Sequence, residues 1–176
     1  MEIRFGRRKL CIDFGFPAML SLILLSGERA FLLQTFLVCI LHECGHGIAM
    51  CLTGAGLREI RLGGAGMQLF AETAVLTELQ QLLISLAGPA VNLICALLFQ
   101  RFHAESAVLH LYMGIFNLLP YRSLDGGTAL RIFCTPPIFV SYVFSAVLCG
   151  LLIYFRLRNP LLYLMLLYLT VNESLR

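Results

Sequence analysis

Charge is what this chain has least of. Thirteen basic and ten acidic residues are spread over 176 positions, only 13% of the total. A water-soluble domain of this length covers its surface with about twice that share. No tract is polar enough to form a sizeable soluble domain beside the apolar ones. The net charge of +3 is better explained by membrane topology than by nucleic acid, because the basic residues do not form one face. None of the seven cysteines (Cys11, Cys39, Cys44, Cys51, Cys95, Cys134, Cys149) forms a C-x-x-C pair, and most lie in apolar runs. They read as small hydrophobes rather than a disulfide framework. Internal repeats and low-complexity tracts are absent. No small-residue cleavage site follows the basic "RFGRRKL", so the first apolar segment reads as a retained helix.

Hydrophobic residues make up 59% of the chain, and its mean hydropathy is +0.86. Six apolar segments, roughly 10–26, 30–52, 79–100, 104–120, 134–155 and 159–173, approach the length that spans a bilayer, about 20 residues of helix. The expectation is an all-α integral membrane protein, a single multi-pass domain over residues 1–176 in the cell membrane. With a cytoplasmic N-terminus, Arg4, Arg7, Arg8, Lys9, Arg58, Arg61, Arg122, Arg131 and Arg176 lie inside. Arg29, Arg101, Arg156 and Arg158 lie outside, and this bias fits the positive-inside rule. Between the second and third segments, "GAGLREIRLGGAGMQLFAE" is rich in glycine. Ile60, Leu62, Met67 and Leu69 suggest two short extended pieces around Gly63-Gly64. Such an extended or re-entrant stretch belongs at the cytoplasmic interface or in a protein-lined cavity, because open strands cannot face lipid.

Against this background "LHECGHGIAM", residues 41–50, is anomalous. His42 and His46 are four residues apart, so on a helix both project from one face. Two imidazoles so placed can share a zinc ion, and Glu43 then stands beside the metal, where it can hold a water. Cys44 points to the other side of such a helix. Ionisable groups inside a membrane are costly and default to a functional reading. The bland alternative is a buried pair of hydrogen-bonded histidines.

A catalytic zinc needs a third protein ligand and an open position. Asp13, Glu28, Glu72, Glu78, Glu105 and Asp125 are among the carboxylates outside the motif and the two chain ends, and His110 is the remaining histidine in an apolar span. Asp125 stands out in "NLLPYRSLDGG". Pro120 ends regular helix, and Gly126-Gly127 permit close backbone approaches. An ordinary Asp-Gly turn explains the same residues.

"HECGH" followed by "FNLLPYRSLDGG", with "LAGPAVN" at residues 86–92 between them, resembles the site-2 protease family of intramembrane zinc metalloproteases. The resemblance covers about residues 30–132. It implies a three-helix catalytic core, one zinc ion on His42, His46 and Asp125, and Glu43 as catalytic base. The compact plan is similar to the bacterial branch that includes the sporulation sigma-factor processing protease, without the cytoplasmic nucleotide-sensing domain often found there. Asn92 and Asn117 lie in apolar spans and are candidates for oxyanion or substrate contacts, or for interhelical hydrogen bonds. His110 reads as a packed histidine. The implied activity is a zinc-dependent metalloendopeptidase that cuts a membrane-protein substrate, such as a membrane-tethered transcription factor, near the cytoplasmic side. Membrane regulatory partners are compatible with that role. Gly88-Pro89 is expected to interrupt its helix. The rival classes are a non-proteolytic membrane protein of the same fold that binds zinc or membrane helices, and a small transporter. Transporters typically need more spans and often carry repeats.

Overall fold

Polar side chains are buried in this molecule and large apolar ones are exposed, the reverse of a water-soluble core. His42, Glu43, His46, Asn92, His110, Ser141, Ser145 and Glu173 are all buried. Leu33, Leu83, Ile94, Leu97, Leu98 and Phe139 each leave more than half of their surface open. Apolar surface on that scale calls for an apolar surrounding. The computed structural model describes residues 2–5, 8–14, 17, 21, 29–63, 66–71, 76–134, 139–154 and 160–174. They fall into two compact units, Met1–Phe116 and Asn117–Arg176.

The first unit opens with β1 (Glu2–Phe5) and β2 (Arg8–Ile12), continues through α1 (Arg29–Thr53), β3 (Leu57–Gly63) and β4 (Gly66–Ala71), and ends with α2 (Glu78–Phe99) and most of α3 (Ala104–Asn117). Helix α1 stops where Gly54 takes φ +71 and the Ala55 N–H turns back to the Met50 carbonyl at 2.9 Å. That left-handed residue is one glycine adopts readily. Helix α2 starts at a capping box: Thr77 Oγ1 accepts from the Gln80 N–H, and the Gln80 side chain accepts from the Thr77 N–H.

The four strands form one sheet in the order β1-β2-β3-β4, with β2 and β3 parallel and the other pairs antiparallel. The two extended pieces around Gly63 are therefore present. The all-α expectation is corrected, because the sheet also recruits the N-terminus. Residues 10–12 of the expected first span belong to β2, and most of the rest of that span lies outside the described residues. The cause is visible in "RKLCI". Its alternation sets Leu10 and Ile12 on one face and Lys9 and Cys11 on the other, but it runs directly into a longer apolar stretch that dominates any hydropathy average. Ala49, Met50 and Ile84 form a core beneath the hairpin, with Leu57, Leu69 and Ala87 packed around it.

Helices α1 and α2 meet through small residues. A Cβ on Gly45 would sit 2.7 Å from the Ala87 carbonyl oxygen and 2.9 Å from Val91. Gly114 of α3 approaches Leu93 and the Pro89 carbonyl in the same way, at 3.1 and 3.3 Å. Close backbone approach of this kind is how helices associate without a hydrophobic drive between them. Gly88-Pro89 does not interrupt α2, which runs unbroken through Pro89. Proline removes one backbone donor and does not by itself end a helix whose neighbours pack closely.

In the second unit the chain turns through Leu118–Leu124 into α4 (Asp125–Phe133), followed by α5 (Phe139–Tyr154) and α6 (Pro160–Ser174). Among the described residues only Leu33–Thr53 and Glu78–Phe99 are long and apolar enough to cross a bilayer. The six-span plan is not shown by length among the described residues, since the described parts of α3, α5 and α6 have 14, 16 and 15 residues. At 1.5 Å per residue they reach about 21–24 Å, short of the roughly 30 Å hydrocarbon layer.

Candidate metal and catalytic centre

Helix α1 buries Val38, His42, Glu43, Gly45, His46, Ala49 and Met50 and leaves Cys44, Ile48 and Cys51 exposed. The spacing of three and four places both histidines and Glu43 on the covered face. The two imidazoles stand edge to face with centroids 4.9 Å apart, and their Nε2 atoms are separated by 3.2 Å. Two nitrogens at about 2.0–2.1 Å from a tetrahedral zinc are about 3.3 Å apart, so the pair needs almost no adjustment to share one ion.

Each ring is held from behind. His46 Nδ1 lies 2.7 Å from the Ile84 carbonyl, which can only accept. Its proton is therefore on Nδ1, and its Nε2 faces His42. His42 Nδ1 lies 3.1 Å from the amide of Asn92, a fully buried residue. The space in front of the nitrogens is kept open by a missing side chain. A Cβ on Gly88 would collide with His46 Nε2 and stand 2.8 Å from His42 Nε2. A glycine here leaves space facing two imidazole nitrogens, as a zinc ligand set requires.

Asp125 is the first residue of α4, after Leu124 as N-cap. A carboxylate in the first turn is favoured by the helix dipole. The glycines after it do as their sequence suggests. A Cβ on Gly126 would run into the Leu118 carbonyl, and one on Gly127 into the Tyr121 carbonyl. The turn after α3 is thus folded tightly against the start of α4. His42 and His46 belong to the first unit and Asp125 to the second.

Asn92 and Asn117 differ. Asn117 is the half-buried last residue of α3. The amide of Asn92 is held between two imidazoles, with His110 Nδ1 3.1 Å from its oxygen. His110 itself is buried against Phe99 at 5.5 Å between ring centroids. Asn92 thus makes the interhelical hydrogen bonds that were one of its two readings, and the part taken by His110 was not expected from the sequence. Its available signal was the coincidence of three polar residues in apolar helices. Glu173 was also overlooked, since a carboxylate three residues from the C-terminus reads as solvated. It is buried, accepting from the Arg122 backbone N–H at 2.9 Å, with Arg122 Nε at 3.4 Å and Ser141 Oγ at 3.2 Å.

No protein-family model matches this chain, and no curated protein matches it in sequence. Among solved structures it is similar to the site-2 protease from Methanocaldococcus jannaschii, with a TM-score of 0.68 and 20% sequence identity. The match covers 99% of this chain and 93% of that one. The fold of this chain is therefore that of a site-2 protease.

Proposed function

We propose that this chain is an intramembrane zinc metalloprotease, a metalloendopeptidase that hydrolyses a peptide bond in or near a transmembrane segment of a membrane-protein substrate. The observation that carries this reading is the pair of Nε2 atoms 3.2 Å apart over Gly88, with Glu43 next in sequence on the same buried face. The site-2 protease fold supports it. His42, His46 and Asp125 would hold one zinc, leaving one position open.

Zinc bound there supplies Lewis acidity, polarising the scissile carbonyl and lowering the pKa of water towards about 7. Glu43 accepts the proton of the attacking water and delivers it to the departing amide nitrogen. Asn117 is a candidate donor to the developing oxyanion. The chain is multi-pass with its N-terminus in the cytoplasm, and His42–His46 lie about 9–15 Å below the cytoplasmic end of α1. A substrate helix shields its own peptide bonds, so it must unwind to be cut. Strand β4 lies at an edge of the sheet and packs on α1, where an unwound segment could add as a further strand. A membrane-tethered transcription factor is a substrate of suitable form, with regulation supplied by other membrane proteins.

The test uses the full chain in bilayers with a membrane-tethered reporter. Glu43→Gln should abolish cleavage while about one equivalent of zinc stays bound, because the amide cannot serve as a base. Undiminished proteolysis by that variant would overturn the mechanism.

A further inference from the structure

The metal-ligand histidines and His110 belong to one row of hydrogen bonds. It runs from the Ile84 carbonyl to His46 Nδ1 (2.7 Å), from His46 Nε2 to His42 Nε2 (3.2 Å), from His42 Nδ1 to Asn92 (3.1 Å) and from Asn92 to His110 Nδ1 (3.1 Å). Asn92 is fully buried, and His42 and His110 are each 2% exposed. A neutral imidazole has one donor and one acceptor nitrogen, and an amide has one end of each kind. Fixing one proton in such a row fixes the rest.

Two assignments satisfy the inner part of the row. In one, His42 carries its proton on Nε2 and donates to His46. The Asn92 amide nitrogen then donates to His42 Nδ1, and His110 Nδ1–H donates to the Asn92 oxygen. In the other, His42 carries its proton on Nδ1 and donates to the Asn92 oxygen. The amide is then turned over, its nitrogen donates to His110 Nδ1, and His110 carries its proton on Nε2. Turning the amide exchanges oxygen and nitrogen in the same volume, so the change needs no movement of a helix.

We infer that Asn92 and His110 are positioning residues for His42, and that zinc binding turns the Asn92 amide over and moves the His110 proton from Nδ1 to Nε2. This rests on the metalloprotease reading, through its assignment of His42 and His46 as ligands. A metal takes the His42 Nε2 lone pair, so that ring must carry its proton on Nδ1 and needs an acceptor there. The amide oxygen of Asn92 serves when the amide is turned, and the amide nitrogen is then left facing His110. Proton count is conserved. His42 and His110 each lose one proton at one nitrogen and gain one at the other, and neither ring changes charge. Hydrogen bonds to the far nitrogen of a ligating histidine fix its orientation and tautomer. Here the amide passes that constraint on to a third helix.

The tautomer of His110 can be read by nitrogen-15 NMR of histidine-labelled full-length protein in bilayers, loaded with zinc or stripped by a chelator. The inference expects protonated Nε2 in the loaded protein and protonated Nδ1 in the stripped one. The same tautomer in both states would overturn it. Asn92→Asp supplies acceptors at both ends of the bridge. It should hold His42 for zinc yet keep His110 protonated on Nδ1 in both states. Asn92→Leu should uncouple His110 from zinc altogether and speed zinc release by about tenfold or more. A side chain that merely filled space would leave the His110 tautomer unmoved by either change. Zinc stoichiometry separates the two failures. If the protein takes up no zinc, the protease reading and this inference fall together. If one equivalent binds and His110 does not respond, the inference falls alone.

Discussion

The histidine row of the first unit and the glutamate cluster of the second are built from similar parts. Each ties three segments together through buried polar side chains, in a chain that otherwise turns apolar groups outward. In the second unit, Tyr121 OH and Ser145 Oγ are 2.7 Å apart, and Ser145 and Thr170 are joined at 2.9 Å. Ser141 and Arg122 converge on Glu173. That cluster is closed. Hydroxyls satisfy hydroxyls, and the one carboxylate is matched by a guanidinium and a backbone N–H. The histidine row instead brings two Nε2 atoms together over a glycine whose missing side chain keeps space clear. A closed network fixes structure, whereas one that gathers imidazole nitrogens beside such space can take a ligand.

Gly88→Ala is expected to break this contrast most severely. The added methyl would occupy the cradle and push both rings from their places. Zinc affinity should fall more than the roughly 10–100-fold seen when a ligand's hydrogen-bond partner is removed. Gly150→Ala in α5 meets open space and serves as the control, with zinc content unchanged. Retention of a full equivalent by Gly88→Ala, measured by elemental analysis, would mean that the ion sits elsewhere.

Asp125 gives the next largest effect. Asp125→Asn preserves the turn-forming side chain but removes the negative ligand. It should lose zinc nearly as completely as Asp125→Ala. If Asn holds zinc as well as Asp does, the residue shapes the start of α4 and another group completes the coordination, with His110 the first to test.

These residues were unequally visible in the sequence. His42, Glu43 and His46 could be found because their chemistry is local, with three side chains on one helical face separated by fewer than five residues. The bends around Pro120 and Gly126 were equally local. Gly88 was noticed for the wrong reason. Its value is the side chain it lacks opposite another helix, and one-dimensional spacing cannot show that. Asn92 and His110 are 18 residues apart, and their bridge depends on how α2 and α3 turn about their axes. The sheet was half legible. The β3–β4 hairpin has glycines at its bend, while β1 and β2 are short and precede a longer apolar run. Glu173 was hidden by its position, because nearness to a terminus says nothing about burial.

In the closed cluster, Glu173→Gln should cost stability rather than metal. The amide oxygen can still accept from the Arg122 N–H, but the charge that partners Arg122 is gone. A loss of about 1.5–3 kcal/mol is expected for a hydrogen bond to a charged group, with zinc stoichiometry unchanged. Thermal unfolding in detergent and elemental analysis of the same sample check both parts. Should zinc content fall to that of Asp125→Asn, the cluster would be serving the metal through the turn leading into α4, and the contrast between the two networks would collapse.

The smallest effect belongs to the sheet, where a polar pair lies outside the helices. Burial alone would push the Glu59 carboxyl up, and Arg61 opposes it, bonding to Oε1 through Nη2 at 2.7 Å and Nε at 3.0 Å. Cys11 and Lys9 act in the same direction, and Glu59 ends below the ordinary carboxylate range. The Arg61 guanidinium also lies 5.2 Å from the centre of the Phe70 ring, so one cation joins β3 to β4. A carboxyl lowered on folding stabilises the protein fully above its unfolded value of about 4.3. That contribution is lost as pH falls through the lower folded value. Glu59→Gln should therefore lower the unfolding temperature slightly at pH 7, and the difference from wild type should shrink as pH drops below about 4. Unlike the zinc-dependent effects, it should also weaken with added salt, because Arg61 is part-exposed and screened. A gap between wild type and variant that widened towards low pH would mean that Glu59 is held protonated by burial, with Arg61 anchored by Phe70 alone.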